Sequence, residues 1–255
     1  MKANLYKNID LLRIPVQAGI QEYYFPQNVD WAECKVDRIA ACVPSKACVD
    51  PMDGVTPVLT LSDIPDKDVY FNIYTKDQRE LLHAVSIEDL LHSNNHPIYL
   101  GEKLDLSLCN LYFKSAPAQD YTLLLYVFHT DGDKCETSEL PDNSVTLEFP
   151  LQADEEINLQ QLITTYIHAL PAKVKGVMFW NAENNPAYIT LRDYELTYIL
   201  QNIHSEMARP PMNGGTAPGT QADMMLFDNI DIDFQYSHIR NAESQANTQR
   251  ITFLY

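Results

Sequence analysis

The chain has 255 residues, of which 45% are hydrophobic, and its 35 acidic against 18 basic residues give a net charge of −17. That apolar content is more than a disordered chain carries, and the length admits one large domain or two small ones. The acidic balance excludes a protein that grips phosphates through a basic face, because the densest basic cluster, Lys173 to Lys175, holds only two charges.

No stretch approaches 18 apolar residues, so no membrane span is expected. The first residues, MKANLYKNID, lack the apolar core of a signal peptide, which points to folding in the compartment of synthesis. The five cysteines (34, 42, 48, 109 and 135) include no C-x-x-C pair. An odd number cannot close into a full set of intrachain disulfides, so reduced and mostly buried thiols are expected.

In chain order, the first segment with a clear pattern contains IPVQA at 14–18, and FPLQA at 149–153 repeats it. CKVDRIAACV (34–43) is echoed by AKVKGVMFW (172–180), and VYFNIY (69–74) by AYITLR (187–192). The last echo is the longest. LDLSLCNLYFKSAPAQDYTLLLYVFH (104–129) aligns without a gap, 126 positions on, with IDIDFQYSHIRNAESQANTQRITFLY (230–255). This alignment sets Asp105 against Asp231, Leu106 against Ile232 and Thr122 against Thr248. Four segments thus recur in one order, which predicts a tandem duplication: a first domain over 1–130, a polar linker DGDKCETSELPDN over 131–143, and a second domain over 144–255.

Most recurring segments alternate with period two, as in LDLSLCNLYF, the pattern of a half-buried strand. YTLLLYVF and KGVMFW are continuous apolar runs, expected to be strands covered on both faces. Most prolines lie between the runs, where they end strands without removing ladder hydrogen bonds. Helices are few. Leu159, Leu162, Ile163, Tyr166, Ile167 and Leu170 have helical spacing, so a helix is predicted over 158–170 with Asn158 as its cap. Ser86 can cap a short helix reaching about His92, and 195–208 fits either strand or helix. The fold class predicted is all-β with a few short helices: two tandem eight-stranded jelly-roll sandwiches. The halves are expected to differ in two surface loops, SKACVDPMDGVT (45–56) and ARPPMNGGTAPGTQA (208–222).

The pattern DVYFNIYTKDQRELL followed by LDLSLCNLYFKSAPAQDYTLLLYVF, and its partner AYITLRDYELTYIL followed by IDIDFQYSHIRNAESQANTQRITFLY, resembles the double jelly-roll major capsid proteins of icosahedral, tailless, membrane-containing bacteriophages. The resemblance covers about 9–255 and is one of architecture. It implies a structural, non-enzymatic virion protein, made in the host cytoplasm and located in the capsid shell. It implies homotrimers of roughly hexagonal outline that tile a lattice, with penton and minor capsid proteins and an internal membrane as candidate further partners. Direct nucleic-acid binding is not expected. Two other readings stay open: another virion component such as a head-decoration, collar or spike protein, or a carbohydrate-binding or carbohydrate-cleaving double sandwich.

Catalytic and metal signatures are weak, and no catalytic residue, cofactor site or metal site is assigned. His92 and His96 are four apart but sit among asparagines before Pro97, where a helical zinc pair does not form. NGGTAPGT (213–220) lacks the Lys-Ser/Thr ending of a phosphate loop, and no G-x-S-x-G is present. Asp131, Asp133 and Glu136 in the linker could offer oxygen ligands to calcium, although acidic linkers are ordinarily just solvated.

Overall fold

The structure, a computed structural model, describes residues 8–27, 34–42, 48–58, 69–90, 98–130, 143–166, 173–180, 184–208 and 225–255. It divides into two compact units, Leu11–Asp133 and Lys134–Tyr255, the latter counted together with Met1–Asp10.

The N-terminal unit contains β1 (Asn8–Val16, shared with the other unit through its first three residues), β2 (Glu22–Tyr24), β3 (Lys35–Cys42), β4 (Val69–Tyr74) and β5 (Glu80–Ser86). A single helical turn, α1 (Ile87–Leu90), precedes β6 (Tyr99–Glu102), β7 (Asn110–Phe113) and β8 (Tyr121–Thr130). Its strands run in the orders β1-β8-β3-β6 and β2-β7-β4-β5. First and last strands lie side by side, and the two sheets are interleaved along the chain, which is the order of a jelly roll. Alternation builds the core: Leu12, Ile14 and Val16 of β1, Val69, Phe71 and Ile73 of β4, and Leu111 and Phe113 of β7 all turn inward. β8 is buried from Tyr121 through His129, as its unbroken apolar run predicts.

The C-terminal unit repeats the plan. It holds β9 (Ser144–Leu151), β10 (Glu156–Asn158), α2 (Leu159–Tyr166), β11 (Lys173–Trp180) and β12 (Ala187–Arg192). β13 (Tyr198–His204), β14 (Met225–Asp231), β15 (His238–Asn241) and β16 (Asn247–Leu254) complete it. The orders are β9-β16-β11-β14 and β10-β15-β12-β13, the same as in the N-terminal unit strand for strand. One strand is added: Ile9 pairs in parallel with Leu200 at the edge of β13.

The repetition extends to single residues. The hairpin β4–β5 pairs Tyr70 with Ser86, Phe71 with Val85, Ile73 with Leu82 and Tyr74 with Glu80. The hairpin β12–β13 pairs Tyr188 with His204, Ile189 with Ile203, Leu191 with Leu200 and Arg192 with Tyr198, every partner 118 positions on. Both contain the same two left-handed residues, Gln78 (φ 62°) and Ala84 (φ 49°) in one, Leu196 (φ 64°) and Asn202 (φ 48°) in the other. The amide of Ala84 donates to Asn72 Oδ1, and that of Asn202 to Thr190 Oγ1. Gly19 (φ 82°) and Asp154 (φ 55°) match at the turn after the first strand, 135 positions apart, where the Pro-x-Gln-Ala echo ends. Cys109 and Ser237 are counterparts as well: the amide of Tyr74 donates to Cys109 Sγ at 3.3 Å, and that of Arg192 to Ser237 Oγ at 3.0 Å.

Three expectations need correction. LDLSLCNLYF is not one strand. Leu104 makes a single bridge to Thr75, and Asp105 Oδ1 then accepts the amide of Ser107, closing an Asx turn that breaks the strand before Asn110. Asp233 does the same with the amide of Gln235. The uniform offset of 126 also fails. Leu104 corresponds to Ile232, which bridges Asp193, so the offset is 128 through β7 and β15 and becomes 126 only in β8 and β16. Two extra residues in the β7–β8 connection account for the slip. Last, 195–208 divides into a turn, β13, and a 3-10 turn at Ser205–Ala208. The predicted helices appear as α1 and α2, with Asn158 Oδ1 accepting the amide of Gln160. Residues 91–92 and 167–170, and most of the loop at 208–222, lie outside the described residues.

One core position has changed chemistry between the repeats. Phe113, Tyr121 and Leu123 pack as an apolar cluster, with Phe113 and Tyr121 edge to face at 6.4 Å. Their counterparts are Asn241, Asn247 and Gln249. Asn247 Nδ2 donates to Asn241 Oδ1 (2.8 Å), Gln249 Nε2 to Asn247 Oδ1 (3.0 Å), and Asn241 Nδ2 to the carbonyls of Gln152 and Gln245. Buried amide nitrogens are tolerated here because neighbouring oxygens accept from them, while Gln249 Oε1 is left without a partner.

Candidate functional site

The chemistry-bearing side chains are engaged in structure. Burial pushes the Cys109 thiol up to about 11, which makes it a poor nucleophile near neutrality. His83 Nδ1 contacts Glu80 Oε1 at 2.8 Å, and the hydrogen bonds from His83 and Tyr74 hold the Glu80 carboxyl below its usual range. His238 lies 3.7 Å from Glu156 on neighbouring strands, and burial lowers its pKa. Among the described residues, no three His, Cys, Asp or Glu side chains gather as a metal set. Asp131, Asp133, Glu136, His92 and His96 lie outside the described residues. No helix among those described is long and apolar enough to cross a membrane.

His204 is fully buried at the end of β13, packed edge to face on Tyr188 at 5.3 Å, and its Nδ1 accepts the amide of Glu206. Ser86 Oγ does the same for Glu88 in the other unit, so the imidazole acts as a helix-start cap. Desolvation pushes its pKa down to about 3 from 6.5. Unfolding therefore takes up a proton below pH 6.5, and stability present above that value drains away as pH falls toward 3. The cost approaches about 1.4 kcal/mol per pH unit in that window. Between pH 7 and 5, urea unfolding of the His204→Gln variant should show about 2 kcal/mol less loss of stability than the parent.

What the surface offers is apolar loop tips and open strand edges. In the C-terminal unit the β12–β13 turn and the β14–β15 turn are clamped together by the Asp193–Ile232 bridge and by the amide of Asp233 donating to the carbonyl of Arg192. Tyr194, Leu196 and Tyr236 stand exposed on these two turns. The counterparts of Tyr194 and Leu196 in the N-terminal unit are Lys76 and Gln78, and that of Tyr236 is Leu108, so the β12–β13 turn is apolar where the β4–β5 turn is polar. The N-terminal unit has its own tip, Met52 and the 80% exposed Val55, on the loop 48–58. Neither tip has a periodic signal in the sequence, because the residues sit in turns.

Both sheets of each unit end in strands with one neighbour among the described residues, apart from β13 and β1, which pair with each other through Leu200 and Ile9. The difference shows in burial. Ile199, Leu200 and Ile203 of β13 are buried, whereas their counterparts Leu81, Leu82 and Val85 in β5 are half-exposed while still packing on the core.

No family model and no curated protein matches the chain. Two solved structures resemble it distantly. The major capsid protein P2 of bacteriophage PM2 aligns over 100% of this chain and 95% of its own at 11% identity, with a TM-score of 0.20. A chain of the Sulfolobus turreted icosahedral virus structure aligns over 99% and 87% at 11% identity, with a TM-score of 0.22.

Proposed function

We propose that the protein is a structural virion component, a major capsid protein whose trimers are pseudo-hexameric and tile an icosahedral shell. The observation that carries this reading is the repetition itself: two units of one chain share jelly-roll strand orders and the same residue registers. Three such chains present six similar lobes, so a three-fold object acquires the outline that packs in a flat facet. The side chains support the reading too. The buried thiols and the capping histidine hold structure, while the apolar tips and half-exposed edges offer surface for partners.

Trimer contacts of this kind are obligate and bury upwards of roughly 2,000 Å² each. At a net charge of −17 per chain, copies repel one another at low salt, so association should strengthen as salt rises. Light scattering on purified protein at physiological salt is expected to give about three times the chain mass of 29.1 kDa, or whole shells visible by negative stain. A stable monomer at micromolar concentration would sink this reading and favour the carbohydrate-active double sandwich.

A further inference from the structure

We propose that β5 is a docking edge for a second copy of this chain, which adds the start of its β9, Asn143–Val145, as a parallel strand with Ser144 opposite Leu82. The proposal deepens the self-assembling reading above and rests on it.

The repeat supplies the template. β13 is the counterpart of β5 in register, bulges and left-handed residues. β13 has a parallel neighbour, the segment Asn8–Asp10, with Ile9 opposite Leu200. That segment is the start of β1, the first strand of a jelly roll. The other strand of this kind is β9, aligned with β1 through the turn residues Gly19 and Asp154. Shifting the pair Ile9–Leu200 by these offsets, 135 for the donor and 118 for the acceptor, gives Ser144 and Leu82.

Burial agrees on both sides of the proposed contact. On the acceptor, Leu81, Leu82 and Val85 are half-exposed where Ile199, Leu200 and Ile203 are buried. On the donor, Ser144 is exposed and Val145 half-buried, whereas Ile9 and Asp10 are 1% and 7% exposed. Further along, where no such contact is invoked, the counterparts agree: Leu12 and Leu147, Ile14 and Phe149, Val16 and Leu151 are all buried. Along the inward-facing positions of β9 the excess exposure is thus confined to the segment that the template pairs. An edge with free amides and carbonyls is a ready template for another strand. Donor and acceptor are different surfaces, so the contact is heterologous and propagates from copy to copy until a ring closes.

The test uses two differently tagged full-length chains, one carrying Leu82→Cys and the other Ser144→Cys, co-expressed and mildly oxidised. Paired strand positions lie within disulfide reach, Cα atoms about 4.4–6.8 Å apart. An 82–144 link between the two tags, identified by peptide mass spectrometry, is expected, with no link from Leu82→Cys to a Thr164→Cys chain, whose substitution lies on α2. Because Leu82 packs partly on the core, His83→Cys with Val145→Cys repeats the test at more exposed acceptor chemistry. Protein that assembles by light scattering but forms neither link overturns the docking edge and leaves the capsid reading standing. A chain that carries both Leu82→Cys and Ser144→Cys and links them within itself, while no link forms between the two tags, overturns the second copy as occupant. Protein that remains monomeric removes both.

Discussion

A chain ended at Gln249 should fail to fold. β16 is an inner strand, hydrogen-bonded to β9 from Leu254–Ser144 through Asn247–Leu151 and to β11 from Gly176–Leu254 through Trp180–Arg250. The truncation removes Ile251, Phe253 and Leu254, all buried, and with them one wall of the C-terminal core. Each buried apolar side chain contributes about 1.5–3 kcal/mol, so the three together approach the whole stability of a typical domain, about 5–15 kcal/mol. The loss also leaves β9 and β11 with unpaired edges, which invites aggregation. The expected result is insoluble protein, or soluble protein without the near-ultraviolet signal of packed aromatics. A milder variant keeps the ladder: Phe253→Ala leaves a cavity beside Phe234, whose ring lies 6.2 Å away edge to face, and should cost about 3–5 kcal/mol. A truncated chain that stays soluble and cooperatively folded would refute this account of the core.

The parts of the fold that the sequence made legible are those where one physical rule dominates. The echo of VYFNIY in AYITLR located β4 and β12 to the residue, although β4 alternates between buried and half-buried positions and β12 is buried from Ala187 through Leu191. CKVDRIAACV and AKVKGVMFW marked β3 and β11 in correct mutual register, since the burial of Lys35–Ile39 is repeated in Lys173–Val177. The rule failed where side chains compete with the ladder. Asp105 and Asp233 sit in apolar-polar alternation yet cap their own turns, so Leu106 and Phe234 follow a turn instead of a strand. The slip from 128 to 126 was hidden because Ala116 and Ala242, and Gln119 and Gln245, recur at the offset of 126 in the connection. The candidate surfaces were least legible. Tyr194 and Tyr236 are 42 positions apart, and the pairing of Asp193 with Ile232 and of Asp233 with Arg192 brings their turns together. The difference between β5 and β13 is invisible in composition, because both are apolar. It appears only when their neighbours are known.

The loop 48–58 yields the second large effect, and the sign of an asymmetry decides it. Asp50 is fully buried, and Arg13 on β1 reaches it with both Nε (2.9 Å) and Nη2 on the same carboxylate oxygen, while its own side chain keeps 35% exposure. The other oxygen, Oδ1, accepts the amide of Met52 at 2.8 Å, and the Asp50 backbone closes the loop with Thr56 and Gly54. Asp53 supports the tip by accepting from Val55, Thr56 and the Thr56 hydroxyl, and these bonds hold its carboxyl down at about 2. Deleting Asp50 leaves a guanidinium that can turn to water. Deleting Arg13 leaves a carboxylate sealed in the protein without its counter-charge, and that is the costly state. Arg13→Ala should therefore destabilise by about 3–5 kcal/mol, Asp50→Asn by less because the amide oxygen still serves Met52, and the double variant Arg13→Ala/Asp50→Asn should recover part of the loss. Urea unfolding of the three variants measures it. A cost below about 1 kcal/mol for Arg13→Ala, the size of an ordinary surface ion pair, would mean that the pair does not hold the loop. The same bond holds Met52 and Val55 out in solvent, so losing it should also raise proteolysis within 48–58 before the rest of the unit unfolds.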